Sequence, residues 1–353
     1  MFKSKKISFR KLAFIITFFA LDYFFANFIS SAILNVSSNL SLGEPSIGSY
    51  RSDEYIFLKT FYLVKGGQNY YQSFEQAVAE DARGIVLTND SFTWRTPTVF
   101  YLWKFTASNG QQIFRNFWFL VTITLVFIYF ILRKFVAFKL ALLGTIIVIP
   151  YFVDILNYKT AFLFTEWWAW FFLIIGLGYY VHNNLRFAWP FFVLAVLTRE
   201  LMLIPICAFL GYSIILKKNR FYFVSVIISF LVFYLFHKGF VLKEAGFATN
   251  SLLIGTRLHG FDKQSFLTMI SFSMKEYPFV SYKIHYLLVL VSTIGLMISF
   301  MRKSDKNIFY VYLAAFSFLI SLPFITTSFY NDYWGILFMP TLIFTIPLAL
   351  NKK

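Results

Sequence analysis

The chain has 353 residues, of which 59% are hydrophobic and 22% aromatic, whereas only 14% are charged. Soluble domains carry roughly a quarter charged residues, so this composition excludes an ordinary soluble protein and indicates a polytopic membrane protein. The net charge of +16 would suggest a nucleic-acid partner in a soluble protein, but here the Lys and Arg residues cluster at the ends of apolar runs. That arrangement is typical of membrane topology and of contact with anionic membrane lipids, so we expect membrane lipids and no nucleic acid as partners.

The first apolar span runs from about Leu12 to Leu34 and is preceded by five basic residues, Lys3, Lys5, Lys6, Arg10 and Lys11. These basic residues predict a cytoplasmic N-terminus. The polar residues 35–115 then form a first external loop. Within this loop, "EYIFLKTFYLV" (54–64) and "TVFYLWKF" (98–105) predict two amphipathic helices lying along the outer membrane surface, and the Gly66–Gly67 pair is expected to end the first of them.

Further apolar spans of roughly membrane-crossing length follow along the chain. They run from about Phe117 to Leu132, Phe138 to Val153, Glu166 to Val181, Phe221 to Phe236, His285 to Phe300, Ile308 to Ile325 and Trp334 to Leu350. A second external loop is predicted over residues 237–283.

The stretch over residues 187–216 is read as two short helices that meet at Thr198–Arg199–Glu200. A single crossing here would place the basic residues Lys217, Lys218 and Arg220 outside, whereas paired short helices keep them inside. The sequence therefore predicts an all-α fold, a polytopic transmembrane helical bundle. We expect one transmembrane domain over residues 1–353, with about ten crossings and both termini in the cytoplasm.

This topology brings many polar residues to the outer interface. They are Asp53, Glu54, Arg95, Asp154, Glu166, Arg199, Glu200, Arg257 and Asp332. Charges at the rims of several membrane helices are costly and so point to a functional site. Asp22, in the middle of the first span, is a weaker candidate of the same kind.

Asp53 and Glu54 precede the first amphipathic helix, where acids are common as helix caps. The functional alternative is a general base that takes a proton from an acceptor hydroxyl. Neighbouring helical residues face different directions, so only one of the two is expected to be the base.

Arg199 and Glu200 lie at the apex of the paired short helices. Arginine is a natural ligand of a lipid phosphate, but an ion pair with Glu166 is an equally good interpretation of Arg199. Arg95 allows either phosphate contact or extension toward lipid headgroups.

Motifs for several other chemistries are absent from the sequence. It has no GxxxxGK[ST] phosphate loop, no GxSxG and no HExxH. A single Cys207 and four scattered histidines exclude a disulfide and a zinc-type ligand spacing. We therefore expect no protein-bound metal site of that type, and the need for a divalent ion stays open.

Four segments together resemble the GT-C superfamily of polytopic membrane glycosyltransferases. They are "DEYIFLKTFYLVKGGQNYY", "WRTPTVFYLW", "FTEWWAWFFLIIGL" and "AVLTRELMLIP", which occur in the order expected for that superfamily. A late "YNDYWGILFMP" is similar to its terminal pattern, with Asn331 or Asp332 in place of the usual basic residue.

The resemblance implies transfer of a sugar from a polyprenyl-phosphate carrier to a glycan, lipid or protein acceptor on the outer face of the cell membrane. It implies Asp53 as the base with Glu54 as its partner, and Arg199 or Arg95 as ligands of the lipid phosphate. Glu166, Glu200 and Tyr70 lie in the same matching segments and are expected to contribute to substrate binding.

Three other functions stay open on the sequence alone. One is a non-catalytic membrane scaffold, which gives no reason for the charges at the outer rim. A transporter or flippase of lipid-linked saccharides would show internal repeats and midplane charges, and neither is prominent here. A polymerase acting on lipid-linked glycans would use the same substrates but would place its chemistry in a larger late loop.

Overall fold

The computed structural model describes residues 53–81, 94–149, 161–244, 261–272, 283–301, 305–325 and 329–349, together with residues 43 and 152. These residues form helices and turns, and none of the described residues lies in a β-strand. The predicted first span, Asp22, Asp154 and Arg257 lie outside the described residues.

The α-helices are numbered here in chain order. They are α1 (Asp53–Lys65), α2 (Tyr70–Ala79), α3 (Thr98–Thr106), α4 (Gly110–Phe135), α5 (Phe138–Ile146), α6 (Thr165–Val181), α7 (Leu185–Thr198), α8 (Leu203–Ile215), α9 (Arg220–Glu244), α10 (Lys263–Phe272), α11 (Lys283–Met301), α12 (Ile308–Ser321) and α13 (Met339–Ala349). Short 3₁₀ helices cover Ala161–Leu163, Glu200–Met202, Leu322–Phe324 and Phe329–Leu337. The all-α prediction is thus confirmed over this part of the chain.

Two of the described helices are long and apolar enough to cross a membrane, at Gly110–Phe135 and Arg220–Lys243. Shorter apolar helices occupy Leu185–Thr198, Glu200–Ile215, Val289–Ser299, Ile308–Phe324 and Met339–Ala349. Helices of this shorter length do not span roughly 30 Å of hydrocarbon by themselves. The number of crossings therefore stays a prediction.

Helix α6 forms the centre of the core. Every residue of α6 except Tyr179 is buried, and its neighbours include α4 and α7. Gly176 allows this close packing, because a Cβ there would lie only 2.8 Å from the ring of Phe192 in α7. The aromatic run Trp167–Phe172 therefore serves core packing.

The ends of several helices follow from local sequence. Asn69 caps α2 by accepting a hydrogen bond of 2.8 Å from the Tyr71 amide, and Asn109 caps α4 through the Gln112 amide at 2.9 Å. Helix α1 ends before Gly66–Gly67, and Gly67 adopts a positive φ of 102° that glycine tolerates well. The predicted helix terminator is confirmed.

Helix α1 lies where the sequence predicted a helix. Eight of its residues are buried, among them Tyr55, Phe57 and Lys59, so most of its apolar side chains contribute to the core. Its location along the membrane surface stays a prediction.

Helix α9 also differs from the prediction. The span was expected to end at Phe236, yet α9 continues through His237 to Glu244. His237 is buried, and its Nδ1 lies 2.9 Å from the Tyr71 hydroxyl of α2. The apolar span ends near Phe236, but the helix persists because its inner side packs on α2.

Candidate functional site

The first part of the site is the N-terminus of α1. Asp53 and Glu54 occupy its first turn, where the partial positive charge of the helix end stabilises carboxylates. Both side chains are partly exposed, and their consecutive positions point them in different directions.

The second part is the loop that precedes α3. The Tyr70 hydroxyl donates a hydrogen bond to the backbone carbonyl of Arg95, and the Thr96 hydroxyl donates one of 2.8 Å to the carbonyl of Thr198. Pro97 then opens α3 with a φ of −71°. These contacts join the loop to α2 and to the end of α7, and so they fix the backbone position of Arg95.

The third part is the break between α7 and α8. Arg199 has an extended backbone with φ −148° and ψ 118°, and the 3₁₀ turn Glu200–Met202 leads into α8. Pro205 lies in the first turn of α8, where its missing amide hydrogen is tolerated. The predicted break at Thr198–Arg199–Glu200 is confirmed.

Arg199 lies between two carboxylates. Its Nε is 2.7 Å from Glu166 Oε1 at the start of α6, and its Nη1 donates a hydrogen bond of 2.6 Å to Glu200 Oε1. The side chains of Arg199 and Glu166 are 2% and 0% exposed. The guanidinium also faces the ring of Trp334 at 5.8 Å. The ion-pair interpretation of Arg199 is therefore the one that the structure shows.

Arg95 lies beside this buried pair and nearer to the surface. Its Nη2 donates a hydrogen bond of 2.8 Å to the Tyr333 hydroxyl and is 4.0 Å from Asp53 Oδ2. Burial by itself would lower the pKa of Arg95, but Tyr333, Glu166 and Asp53 together raise it. Arg95 is thus held as a permanent cation within reach of several anionic groups.

Exposure of the charged side chains increases outward through the site. The Arg199–Glu166 pair is enclosed, the Arg95 side chain is 14% exposed and the Asp53 side chain is 32% exposed. Asp53, Glu166 and Glu200 provide three carboxylates to this site. Arg95 and Arg199 provide two guanidinium groups, so the five side chains together carry one excess negative charge. Asp53 and Arg95 are therefore the members of this set that a ligand can reach most readily.

The structure brings together most of the residues that the sequence singled out. Asp53 lies near Arg95, and Arg199 contacts Glu166 and Glu200. The two groups are close enough for Glu166 and Glu200 to raise the pKa of Arg95, and Tyr70 supports Arg95 through its carbonyl. Glu54 is beside them in the chain. Their roles in catalysis and binding stay predictions.

Tyr333 and Trp334 complete the site and were not predicted. The ring of Tyr333 stacks on Phe164, two residues before Glu166, with the ring centroids 4.7 Å apart. The sequence had drawn attention to "YNDYWGILFMP" but pointed to Asn331 or Asp332, whose side chains lie outside the described part of the structure. The sequence feature that could have identified these two residues is the adjacent aromatic pair Tyr333–Trp334.

A resident metal is not indicated by the described residues, since they contain no group of three or more His, Cys, Asp or Glu side chains placed to hold an ion. Glu166 and Glu200, two of the three carboxylates of the site, contact the Arg199 guanidinium.

No protein-family model, no curated protein and no solved structure matches this chain.

Proposed function

We propose that this chain is an integral membrane glycosyltransferase. It transfers a hexose or pentose from a polyprenyl-phosphate donor to a glycan, lipid or protein acceptor on the outer face of the cell membrane. The observation that carries the proposal is the meeting of Asp53 and Arg95, 4.0 Å apart, beside the buried Arg199–Glu166 pair. A base and a phosphate ligand at adjacent positions are what this transfer requires.

The exposed apolar surface supports a location in the membrane. On α9 the side chains of Leu231, Leu235 and Phe236 are 50%, 71% and 66% exposed. Contiguous apolar surface of this kind on a long helix is covered by lipid or by a protein partner, because its exposure to water is unfavourable. We place the chain as a multi-pass protein with cytoplasmic termini, following the distribution of its basic residues.

In the proposed reaction, Asp53 is the general base. The oxygen of the acceptor hydroxyl forms a bond to the anomeric carbon of the sugar, and its proton passes to the Asp53 carboxylate. The bond between that carbon and the phosphate oxygen breaks, so polyprenyl phosphate leaves with the electron pair. Asp53 Oδ2 lies 4.0 Å from Arg95 Nη2, so the proposed base and the proposed phosphate ligand are at adjacent positions.

Arg95 is the ligand that we assign to the donor phosphate. Its guanidinium neutralises the charge that develops on the departing phosphate, and its planar shape suits two phosphate oxygens. Arg199 was the other candidate, but it is already in contact with Glu166 and Glu200. We therefore assign to Arg199 and these two acids the positioning of α6, α7 and the Arg95 loop. Tyr70 supports the same loop from α2.

The experiment uses the full chain in liposomes with polyprenyl-phosphate-linked hexoses and pentoses and a crude envelope acceptor fraction. The proposal predicts release of free polyprenyl phosphate together with a covalently labelled acceptor. Movement of the labelled lipid across the bilayer without any covalent product would overturn it in favour of a flippase. Repeated addition of sugars to one growing product would indicate the polymerase alternative.

A further inference from the structure

A polar cavity lies at the far end of α6 from Glu166. Its volume is about 300 Å³, and it lies between the C-terminal ends of α6 and α8 and the start of α12. Its lining includes Tyr180, Lys218, Asp305, Lys306, Asn307 and Tyr310. We call it the lysine pocket. Glu166 and Tyr180 are fourteen residues apart on α6, so the two sites are separated by about 21 Å along that helix.

The charge of the lysine pocket is positive. Lys218 and Lys306 line it, and Lys134 of α4 lies beside it with its Nζ 3.9 Å from Asp305 Oδ2. Asp305 is further engaged because its Oδ1 accepts a hydrogen bond of 2.9 Å from the Asn307 amide. Three ammonium groups therefore face one carboxylate that already has two partners. The surplus of positive charge favours an anion.

The backbone around the pocket fixes the positions of its lysines. The helix α12 begins at Ile308, directly after Lys306 and Asn307, and its partial positive charge is offset by the C-terminal ends of α6 and α8, so the lysines supply the positive charge of the pocket. The turn between α8 and α9 is closed by hydrogen bonds of 3.0 Å from the Lys217 and Lys218 amides to Ile214 and Ser213. This turn holds Lys217 at a φ of 53°, a conformation that non-glycine residues rarely adopt, and fixes Lys218 at the rim.

Hydroxyl groups provide the remaining polar lining. The Tyr310 hydroxyl is 2.7 Å from Ser213 Oγ, and the side-chain Nδ2 of Asn219 donates a hydrogen bond of 3.3 Å to the Tyr180 hydroxyl. Lysine ammonium groups and neutral hydroxyls are groups that proteins use to bind phosphate.

We propose that the lysine pocket binds a phosphate-bearing anion, either the headgroup of an anionic lipid or a small soluble phosphate. The pocket shares no residue with the Asp53–Arg95 site, so the proposal goes beyond the transferase reaction and does not depend on it. The basic residues around it are those that predict the cytoplasmic side, where anionic lipid headgroups are abundant.

The test measures binding to the purified full chain in maltoside micelles at low salt. One arm titrates inorganic phosphate by calorimetry, and the other measures retention of phosphatidylglycerol by native mass spectrometry. The variant Lys218→Gln/Lys306→Gln removes both lining charges. Lys238→Gln/Lys243→Gln removes two exposed charges from the far part of α9 and serves as the matched control.

We expect wild-type protein to bind at least one probe and the Lys218/Lys306 variant to bind it about tenfold more weakly, with the difference shrinking at high salt. Binding of phosphatidylglycerol alone identifies a lipid headgroup, and binding of both probes or of phosphate alone identifies a site open to soluble phosphates. Failure to bind either probe, or equal loss in both double variants, would overturn the proposal.

Two further variants keep the test decisive if the double Gln variant folds poorly. Lys218→Arg/Lys306→Arg retains both charges and is expected to bind as wild type does. Asp305→Asn removes the only carboxylate among the described residues that line the pocket and is expected to raise the affinity for phosphate. An unchanged or lower affinity in Asp305→Asn would contradict the proposal.

Discussion

Arg199 Nε and Glu166 Oε1 are 2.7 Å apart, and both side chains are withdrawn from solvent. The contact joins the end of α7 to the start of α6, which are brought together from 33 residues apart in the sequence. Burying a charge without a partner costs several kcal/mol, so each of these residues depends on the other. The pair therefore holds the helix break in place behind Arg95.

Replacing Glu166 by Gln should destabilise the protein. The change leaves the buried Arg199 with Glu200 alone, and we expect the free energy of unfolding to fall by about 3 kcal/mol. Denaturant unfolding in detergent, followed by tryptophan fluorescence, measures this. Glu75→Gln, an exposed carboxylate on α2, is the control and should change stability by less than about 0.5 kcal/mol. Equal stability of Glu166→Gln and wild type would refute the structural role.

Arg95 variants separate phosphate binding from charge alone. Arg95→Lys keeps the positive charge but loses the planar pair of donors, so KM for the lipid-linked donor should rise about tenfold. Arg95→Gln should lower kcat/KM by about a hundredfold because the developing phosphate charge is no longer neutralised. Steady-state kinetics with varied donor measure both. An unchanged KM in Arg95→Lys and Arg95→Gln would remove Arg95 from the phosphate site.

Gly335 tests how the late aromatic segment is positioned. A Cβ at this position would overlap the backbone carbonyl oxygen of Met269 in α10, so Gly335→Ala forces a backbone shift. We expect a loss of about 2 kcal/mol in stability, together with reduced transfer, because Tyr333 moves relative to Arg95. Gly211→Ala in α8 meets open space and should stabilise by about 0.5 to 1 kcal/mol. Equal thermal unfolding midpoints of Gly335→Ala and Gly211→Ala would contradict the close approach of Gly335 to the Met269 backbone.

Tyr70 predicts a dependence of stability on alkaline pH. Burial raises the pKa of Tyr70 well above its ordinary value, with a further increase from Tyr71 that Arg95 partly offsets. The folded state thus favours the protonated hydroxyl, so its contribution to stability is complete below about pH 10 and is lost as pH rises through the higher folded-state pKa. Below about pH 10 we expect the Tyr70 hydroxyl to cause no change of stability with pH.

The measurement compares unfolding of wild type and Tyr70→Phe between pH 8 and 11. Above about pH 10, removing this hydroxyl should make the decline in stability less steep by about 1.4 kcal/mol per pH unit. Identical slopes for the two proteins would show that Tyr70 is not buried as a neutral donor to Arg95.

Local signals in the sequence predicted the parts of the site that local structure determines. The start of α1 at its acidic pair, its end before Gly66 and the break at Arg199 all follow from residues within a few positions of each feature. The partners of Arg95 were not predictable in this way. Tyr333 meets Arg95 across 238 residues of sequence, and only the packing of α6 against the segment that carries Tyr333 brings them together.

Tertiary packing also explains where α9 differs from the prediction. The apolar span ends near Phe236, but α9 continues because His237 and its neighbours pack on α2, a contact between residues 166 positions apart in the sequence. The apolar residues of α1 pack on neighbouring helices, and the location of α1 along the membrane surface stays a prediction.

The most direct test of the account compares Asp53→Asn with Glu75→Gln in liposomes supplied with polyprenyl-phosphate-linked hexoses and pentoses. Both changes remove one partly or fully exposed carboxylate, but only Asp53 lies beside Arg95. If Asp53 is the base, Asp53→Asn lowers kcat for sugar transfer by at least about a hundredfold with little change in stability, whereas Glu75→Gln retains wild-type transfer. Sugar transfer by Asp53→Asn at the wild-type rate would contradict the assignment of Asp53 as the base.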